Sequence, residues 1–160
     1  MAADGKRKPK KRPAPKKLTV AVTGPTGDIG VAALRALDAS ARVGRVIGMA
    51  RRPFDPADHG LSSKVVYQRG DVLDRASVDD LVKDVDVVMH LAFIIVGDPE
   101  EARTINLEGS RNVFEAAVAA KAKRLVYTSS VAAYGFHQDN PQPLTEDVPP
   151  RGSEGFYYSA

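Results

Sequence analysis

The stretch Thr23–Gly30, "TGPTGDIG", sets Gly24, Gly27 and Gly30 three residues apart. Immediately before it, "LTVAVT" (Leu18–Thr23) is a β-branched run that stops at glycine, which is a strand signal. Immediately after it, "DIGVAALRALDAS" carries Ile29, Ala33, Ala36 and Leu37 at helical spacing. A glycine at the turn supplies a backbone conformation other residues resist. A second lets the main chain approach a pyrophosphate, and a third lets the helix pack closely on the strand. The first turn of the helix then offers unpaired N–H groups and the positive end of its dipole to phosphates. Gly24, Thr26, Gly27, Asp28, Ile29 and Gly30 are therefore candidate phosphate-binding residues.

Further along the chain, strand and helix patterns alternate. "RVIGMA" (Arg45–Ala50) and "KVVYQR" (Lys64–Arg69) read as a second and a third strand. Asp74 is placed to cap a short helix through Leu81. "VDVVMHLA" is a fourth strand, apolar almost throughout, as a strand covered on both faces should be. A long helix from about Glu100 to Ala120 would turn Ile105, Gly109, Val113, Ala117 and Ala120 to one side. "RLVYTS" (Arg124–Ser129) is a fifth strand. This order predicts an α/β fold, a Rossmann-like, doubly wound parallel sheet with helices on both faces. Beyond Ser130 the periodicity fades into "FHQDNPQPLTEDVPPRGSEG", rich in proline, glycine and acids, which reads as a long functional loop.

Of the 160 residues 43% are hydrophobic and 27% charged, ordinary for a globular domain. There is no cysteine, which excludes disulfides and thiolate metal sites. The longest apolar runs are too short to span a bilayer, and no secretory signal pattern is present, so a cytoplasmic protein is expected. His59 and His137 stand alone in loops without ligand spacing, so no metal is expected. His90, inside an apolar strand, reads as a core histidine, and Tyr134 as a residue packed near the site.

The net charge of +3 hides an asymmetry. Residues 1–17 hold eight Lys or Arg against one acid, while the remainder holds fifteen against nineteen. A proline-interspersed basic run with almost no apolar residue cannot bury a core and should be disordered. The leading reading is a solvated arm, since no aromatic is interleaved to stack on bases. Contact with nucleic acid or an anionic surface is the alternative. The expected organisation is thus a basic tail, 1–17, and a dinucleotide-binding domain, 18–160.

The glycine pattern is a threonine-led G-x-x-G-x-x-G, and here the sequence resembles the short-chain dehydrogenase/reductase superfamily, in particular its extended, epimerase/dehydratase-like branch. Other stretches resemble it in the same order. "GDVLD" matches the family's adenine-contacting aspartate, Asp71, with Val72 beside it. "HLA" matches the segment over the cofactor, here Leu91, Ala92 and Phe93. "NLEGSRNV" places the family's helix asparagine at Asn106, and "VYTSSVAAYG" places its catalytic serine at Ser130, with Thr128 and Ser129 before it. The resemblance covers Leu18 to Ala160. It implies an NAD(P)-dependent oxidoreductase, epimerase or dehydratase acting on a nucleotide sugar or another small carbonyl or alcohol, and it leaves room for a homodimer. A cofactor-binding sensor without turnover is the rival.

Two details refine what the resemblance implies. An acid about twenty residues beyond Gly30 would bind the ribose 2′-OH of NAD. "MARRP" stands there instead, and Arg51 and Arg52 suit a 2′-phosphate, so NADP is preferred and NAD remains an alternative. The family's proton carrier is a tyrosine supported by a lysine four residues later. "GFYYSA" offers Tyr157 or Tyr158, and "YSA" favours Tyr158. The lysine would fall at position 161 or 162, beyond Ala160. The expectation is therefore a chain cut inside its active-site motif, with little turnover of its own and its substrate-selecting region elsewhere.

Overall fold

The β-branched run at Leu18–Thr23 forms β1, the middle strand of a five-stranded sheet. The molecule is described from a computed structural model covering residues 15–153, 155–156 and 158–159. The behaviour expected of the tail up to residue 14, and the candidate Tyr157, lie outside the described residues. After β1 come α1 (Asp28–Ala39), β2 (Val43–Ala50), β3 (Val65–Arg69), α2 (Arg75–Val82) and β4 (Val87–His90). They are followed by α3 (Pro99–Thr104), α4 (Ser110–Ala119) and β5 (Arg124–Tyr127). The strand order is β3-β2-β1-β4-β5 and every pairing is parallel. This is the doubly wound, Rossmann-like architecture expected from the alternation.

Side chains alternate across the sheet, and each face carries its own core. Val20 and Val22 of β1 pack with Leu34 of α1, Val46 and Val65 on one face. Ala21 and Val88 pack with Leu81 of α2 and Val113 and Ala117 of α4 on the other. Asp74 accepts hydrogen bonds from Ala76 N and Ser77 N and so caps α2, as expected. Thr23 lies level with Met49 on one side and His90 on the other, and His90 is level with Tyr127. The turns that leave β1, β2, β4 and β5 therefore emerge together at one edge.

Four expectations are corrected. Ile29 is 63% exposed, and the buried face of α1 is Gly30 and Leu34, because the first turn overhangs the sheet edge. The strand expected to reach Ala92 stops at His90, and β5 stops at Tyr127 and not Ser129, since the chain turns over the top of the sheet at both places. Ala120 is exposed, just past the end of α4, with Lys121 at φ 55° closing the helix. The long helix is one rod from Pro99 to Ala119, but residues Ile105–Gly109 form a wider π turn between α3 and α4.

β5 is the open edge, with Leu125, Val126 and Tyr127 each more than one third exposed. The segment from Gly135 to Ser153 has no regular element, as expected, but it is tied to itself. Arg151 donates two hydrogen bonds to the Asp139 carboxylate at 2.9 Å each and one to Asn140 Oδ1 at 2.7 Å. His137 Nε2 meets Gly152 O at 2.6 Å. Among the described residues no helix is long and apolar enough to cross a membrane.

Candidate functional site

The chemistry-bearing residues gather at the carboxyl ends of the strands, where ligands bind in open α/β sheets. Gly24 leaves β1 with φ +71°, and a Cβ there would lie 2.7 Å from Leu91 O and 2.8 Å from Ala92 N. Glycine is thus required twice over, by conformation and by the approach of the β4 loop. A Cβ on Gly30 would lie 2.1 Å from Gly24 O and 2.7 Å from Pro25 Cα, which presses α1 directly against the turn. Gly27 differs. The nearest heavy atom to a Cβ there is 3.9 Å away, and Gly27 caps α1 with no side-chain hydrogen bond. The helix mouth is open and accessible, which is the shape a phosphate requires.

Three adjoining clefts run along this edge. The first, of about 360 Å³, lies over Gly24, Gly27, Asp28, Ile29 and Gly30 and is closed by Leu91, Phe93, Thr128, Ser129, Ser130 and Tyr158. The second, of about 120 Å³, continues past Gly24 to Met49, Ala50, Arg51, Asp71, Val72, Ala92, Phe93, Ile94 and Ile105. The third, of about 170 Å³, lies on the far side, between Phe93, Arg103, Asn106, Tyr127, Thr128, Ser129, Ser130 and Tyr158. Phe93 borders all three.

Each sequence-predicted residue has a definite place. Asp71 turns its carboxylate to Leu73 N at 3.0 Å. Val72 is buried and packs against Gly109, whose Cβ would come within 2.6 Å of Val72 Cγ2. Thr26 Oγ1 accepts a hydrogen bond from Arg52 Nη2 at 3.4 Å, which holds Arg52 toward the glycine turn. Arg51 borders the second cleft. Ser130 Oγ accepts from Ala132 N at 3.2 Å and caps a short 3₁₀ turn, Val131–Tyr134. Ser159, beside Tyr158, is buried and donates to Ala132 O at 2.5 Å, which ties the terminal stretch to that same turn. Asn106, expected among the catalytic groups, borders the third cleft and holds the loop after β4 with its amide. Its Oδ1 accepts from Ile94 N and its Nδ2 donates to Ile94 O, both at 2.9 Å, clasping the loop after β4.

Sequence reasoning missed Met49, Ala50, Ile94 and Ile105 around the second cleft, and Arg103 in the third. Arg103 was accessible to a spacing argument, because it stands three residues before Asn106 on the same helical face. The others are apolar and carry no signal that separates a cleft lining from a core.

Beneath the clefts, His90 is fully buried. Its Nδ1 lies 2.6 Å from Thr23 Oγ1 and its Nε2 3.1 Å from Ser110 Oγ. Leu91 N donates to Thr23 Oγ1, which leaves the threonine proton free for His90 Nδ1 in the tautomer whose Nε2–H donates to Ser110. The rings of Phe93, Phe114 and Tyr127 surround it within 6.0 Å. Burial pushes its pKa down from 6.5 to about 4, so the imidazole is neutral. It is a core histidine, as read from the sequence, that fixes the floor of the site. Among the described residues no group of three or more His, Cys, Asp or Glu is arranged to hold a metal ion.

Fold and site together define a parallel-sheet nucleotide-binding domain. Residues 20–159 match the model of the NAD dependent epimerase/dehydratase family, and the chain belongs to that family. It is 37% identical over 129 residues to sterol demethylase protein B of Methylococcus capsulatus, an alignment covering 78% of this chain and 37% of that protein. It is 32% identical over 94 residues to cinnamoyl-CoA reductase 1 of Petunia hybrida, covering 55% of this chain and 28% of that one. Among solved structures, uronate dehydrogenase from Agrobacterium tumefaciens superposes with a TM-score of 0.72 at 28% identity, over 89% of this chain and 52% of the other. The chain thus spans about a third of the length of these curated relatives and about half of the structural one.

Proposed function

We propose that residues 18–160 form the dinucleotide-binding domain of an NAD(P)-dependent oxidoreductase or epimerase/dehydratase acting on a sugar-like or other small carbonyl or alcohol substrate. The observation that carries this reading is the wall formed by Thr128, Ser129, Ser130 and Tyr158, which borders both the cleft over the glycine turn and the cleft beside Arg103 and Asn106. Relatives with this fold include solved structures in complex with NAD, a uronate dehydrogenase, a cinnamoyl-CoA reductase and an epimerase. A bound nicotinamide would supply or accept hydride. The protein's part is positional. Gly24, Gly27 and the mouth of α1 receive the phosphates, Asp71 and Val72 flank the adenine, and Leu91, Ala92 and Phe93 line the path between the two ends. Ser130 Oγ already accepts the Ala132 N–H, so its own proton is available to a substrate oxygen. Tyr158 carries the proton that leaves or joins that oxygen.

NADP is the preferred partner on the strength of Arg51 and Arg52, which stand where an acid would otherwise select a bare ribose. Titration calorimetry with NADP+ and NAD+ tests this. Arg51→Ala with Arg52→Ala should weaken NADP+ by at least about tenfold, the worth of a lost charge-assisted bond, and NAD+ by less than about twofold. Equal losses would place the arginines outside the 2′ site. In a form of the protein that turns over, Tyr158→Phe should lower kcat by about 10² or more while leaving the cofactor Kd unchanged. Full kcat in that variant would move the proton role to another group.

A further inference from the structure

Arg51, which borders the second cleft, is paired with an acid from the helix that lines its floor. Arg51 stands at the end of β2 on one side, and Glu101 stands in the first turn of α3 on the other. Arg51 Nη1 and Glu101 Oε1 are 3.7 Å apart, and both side chains are more than half exposed. Glu101 is one helical turn before Ile105, which lines the cleft floor. Arg69 Nε donates to Arg51 O at 3.0 Å, so the Arg51 main chain is fixed while its guanidinium reaches for the acid. Arg52 is held separately, on Thr26. Among the described residues, Glu101 is the carboxylate paired with this arginine group.

We infer that Glu101 tunes the preference between phosphorylated and unphosphorylated dinucleotide, by competing with the ribose 2′-phosphate for Arg51 beside the adenine cleft. The inference rests on the placement of Arg51 at the 2′ position proposed above. An unphosphorylated ribose leaves the Arg51–Glu101 pair intact. A 2′-phosphate must take Arg51 from the carboxylate, and it then sits beside an uncompensated negative charge. An exposed pair of this kind is weak, so the exchange is feasible and its cost is modest. The acid therefore narrows the preference for the phosphorylated form without abolishing it. Because the groups are solvent-exposed, the effect is screened by salt.

The test is calorimetric titration of the chain with NADP+ and with NAD+ at low and high salt. The variants are Glu101→Gln, Arg51→Ala, the double variant, and Glu100→Gln as a neighbouring acid of equal charge. Circular dichroism on each confirms the fold, which changes at these exposed positions leave intact. Glu101→Gln is expected to tighten NADP+ by about three- to fivefold, leave NAD+ within about twofold, and lose its effect both in the Arg51→Ala background and at high salt. A loss of NADP+ affinity in Arg51→Ala, with no gain in Glu101→Gln, would overturn this inference and spare the cofactor preference. So would an equal gain for both dinucleotides, or the same gain in Glu100→Gln. If Arg51→Ala leaves NADP+ unchanged, Arg51 is not at the 2′ position, and the inference falls with that reading. Absence of binding by either dinucleotide overturns the cofactor assignment itself.

Discussion

Gly30→Ala is expected to lower the unfolding free energy by about 3 kcal/mol, the upper end of the usual cost of overpacking, and to abolish dinucleotide binding. The added methyl would lie 2.1 Å from Gly24 O and within 2.8 Å of two Pro25 main-chain atoms. All of these are backbone, so no rotamer change relieves the contact. Either α1 moves off β1, which strips Leu34 from Val20 and Val22, or the turn after Thr23 changes conformation. Both routes damage the site. Gly27→Ala is the matching control. It meets nothing closer than 3.9 Å and costs under about 1 kcal/mol as a poorer cap, yet its methyl projects into the space proposed for the phosphates. Urea unfolding and cofactor titration on both variants should separate the two roles. Wild-type stability in Gly30→Ala would show that the close packing of α1 on the turn is dispensable.

Acidification from about pH 6.5 to pH 4 is expected to cost about 3 kcal/mol through His90 alone. Its pKa in the folded chain is held at about 4 by burial, against an ordinary value of 6.5. Between those values the unfolded chain binds a proton and the folded chain does not, so protons favour unfolding. The stabilisation is complete above about pH 6.5 and is lost as pH falls toward 4. Among the described residues, the ring's hydrogen-bond and ring partners are Thr23, Ser110, Phe93, Phe114 and Tyr127, none of them charged, so nothing there offsets this. The lowered carboxylates act in a separate range. Asp38 is held down by Ser62, Asp74 by Ser77, Asp86 by Lys123 and Asp139 by Arg151, so their contributions fade only at more acid pH. Denaturant unfolding at a series of pH values should show the first decline in wild type and a flatter profile in His90→Gln. A wild-type profile level down to pH 4.5 would mean that the buried ring is protonated without penalty.

The glycine turn and the alternation of strands and helices were legible because both rest on local physics. A β-branched run that ends in glycine, followed by a helical period, leaves few alternatives. What was not legible has two causes. Apolar residues that line a cleft are indistinguishable in sequence from apolar residues that fill a core, so Leu91 and Ala92 read as a continuation of β4, Ile105 reads only as one side of a helix, and Ile94 carries no signal at all. Periodicity also puts Ile29 on the apolar side of α1, whereas its place in the glycine turn makes it a phosphate-site candidate, and it is exposed and borders the cleft over that turn. Asn106 shows a third limit. Its position came from a resemblance, but the two bonds that clasp Ile94 depend on a turn that no spacing rule predicts.

That turn, Ile105–Gly109, is a π turn set between α3 and α4, and it holds one residue more than a regular helical turn would. A helix advances about 100° per residue. Excising a single residue here would let the rod close into an uninterrupted α-helix and gain better backbone geometry. It would also swing everything before the excision by roughly a quarter turn about the axis relative to α4, whose Val113 and Ala117 are anchored in the core. Glu101 would rotate away from Arg51 and Arg103 away from the third cleft. The irregular turn therefore works as a phase-setting spacer: the buried half of the helix fixes the origin, and one supernumerary residue determines which side chains face the nucleotide site.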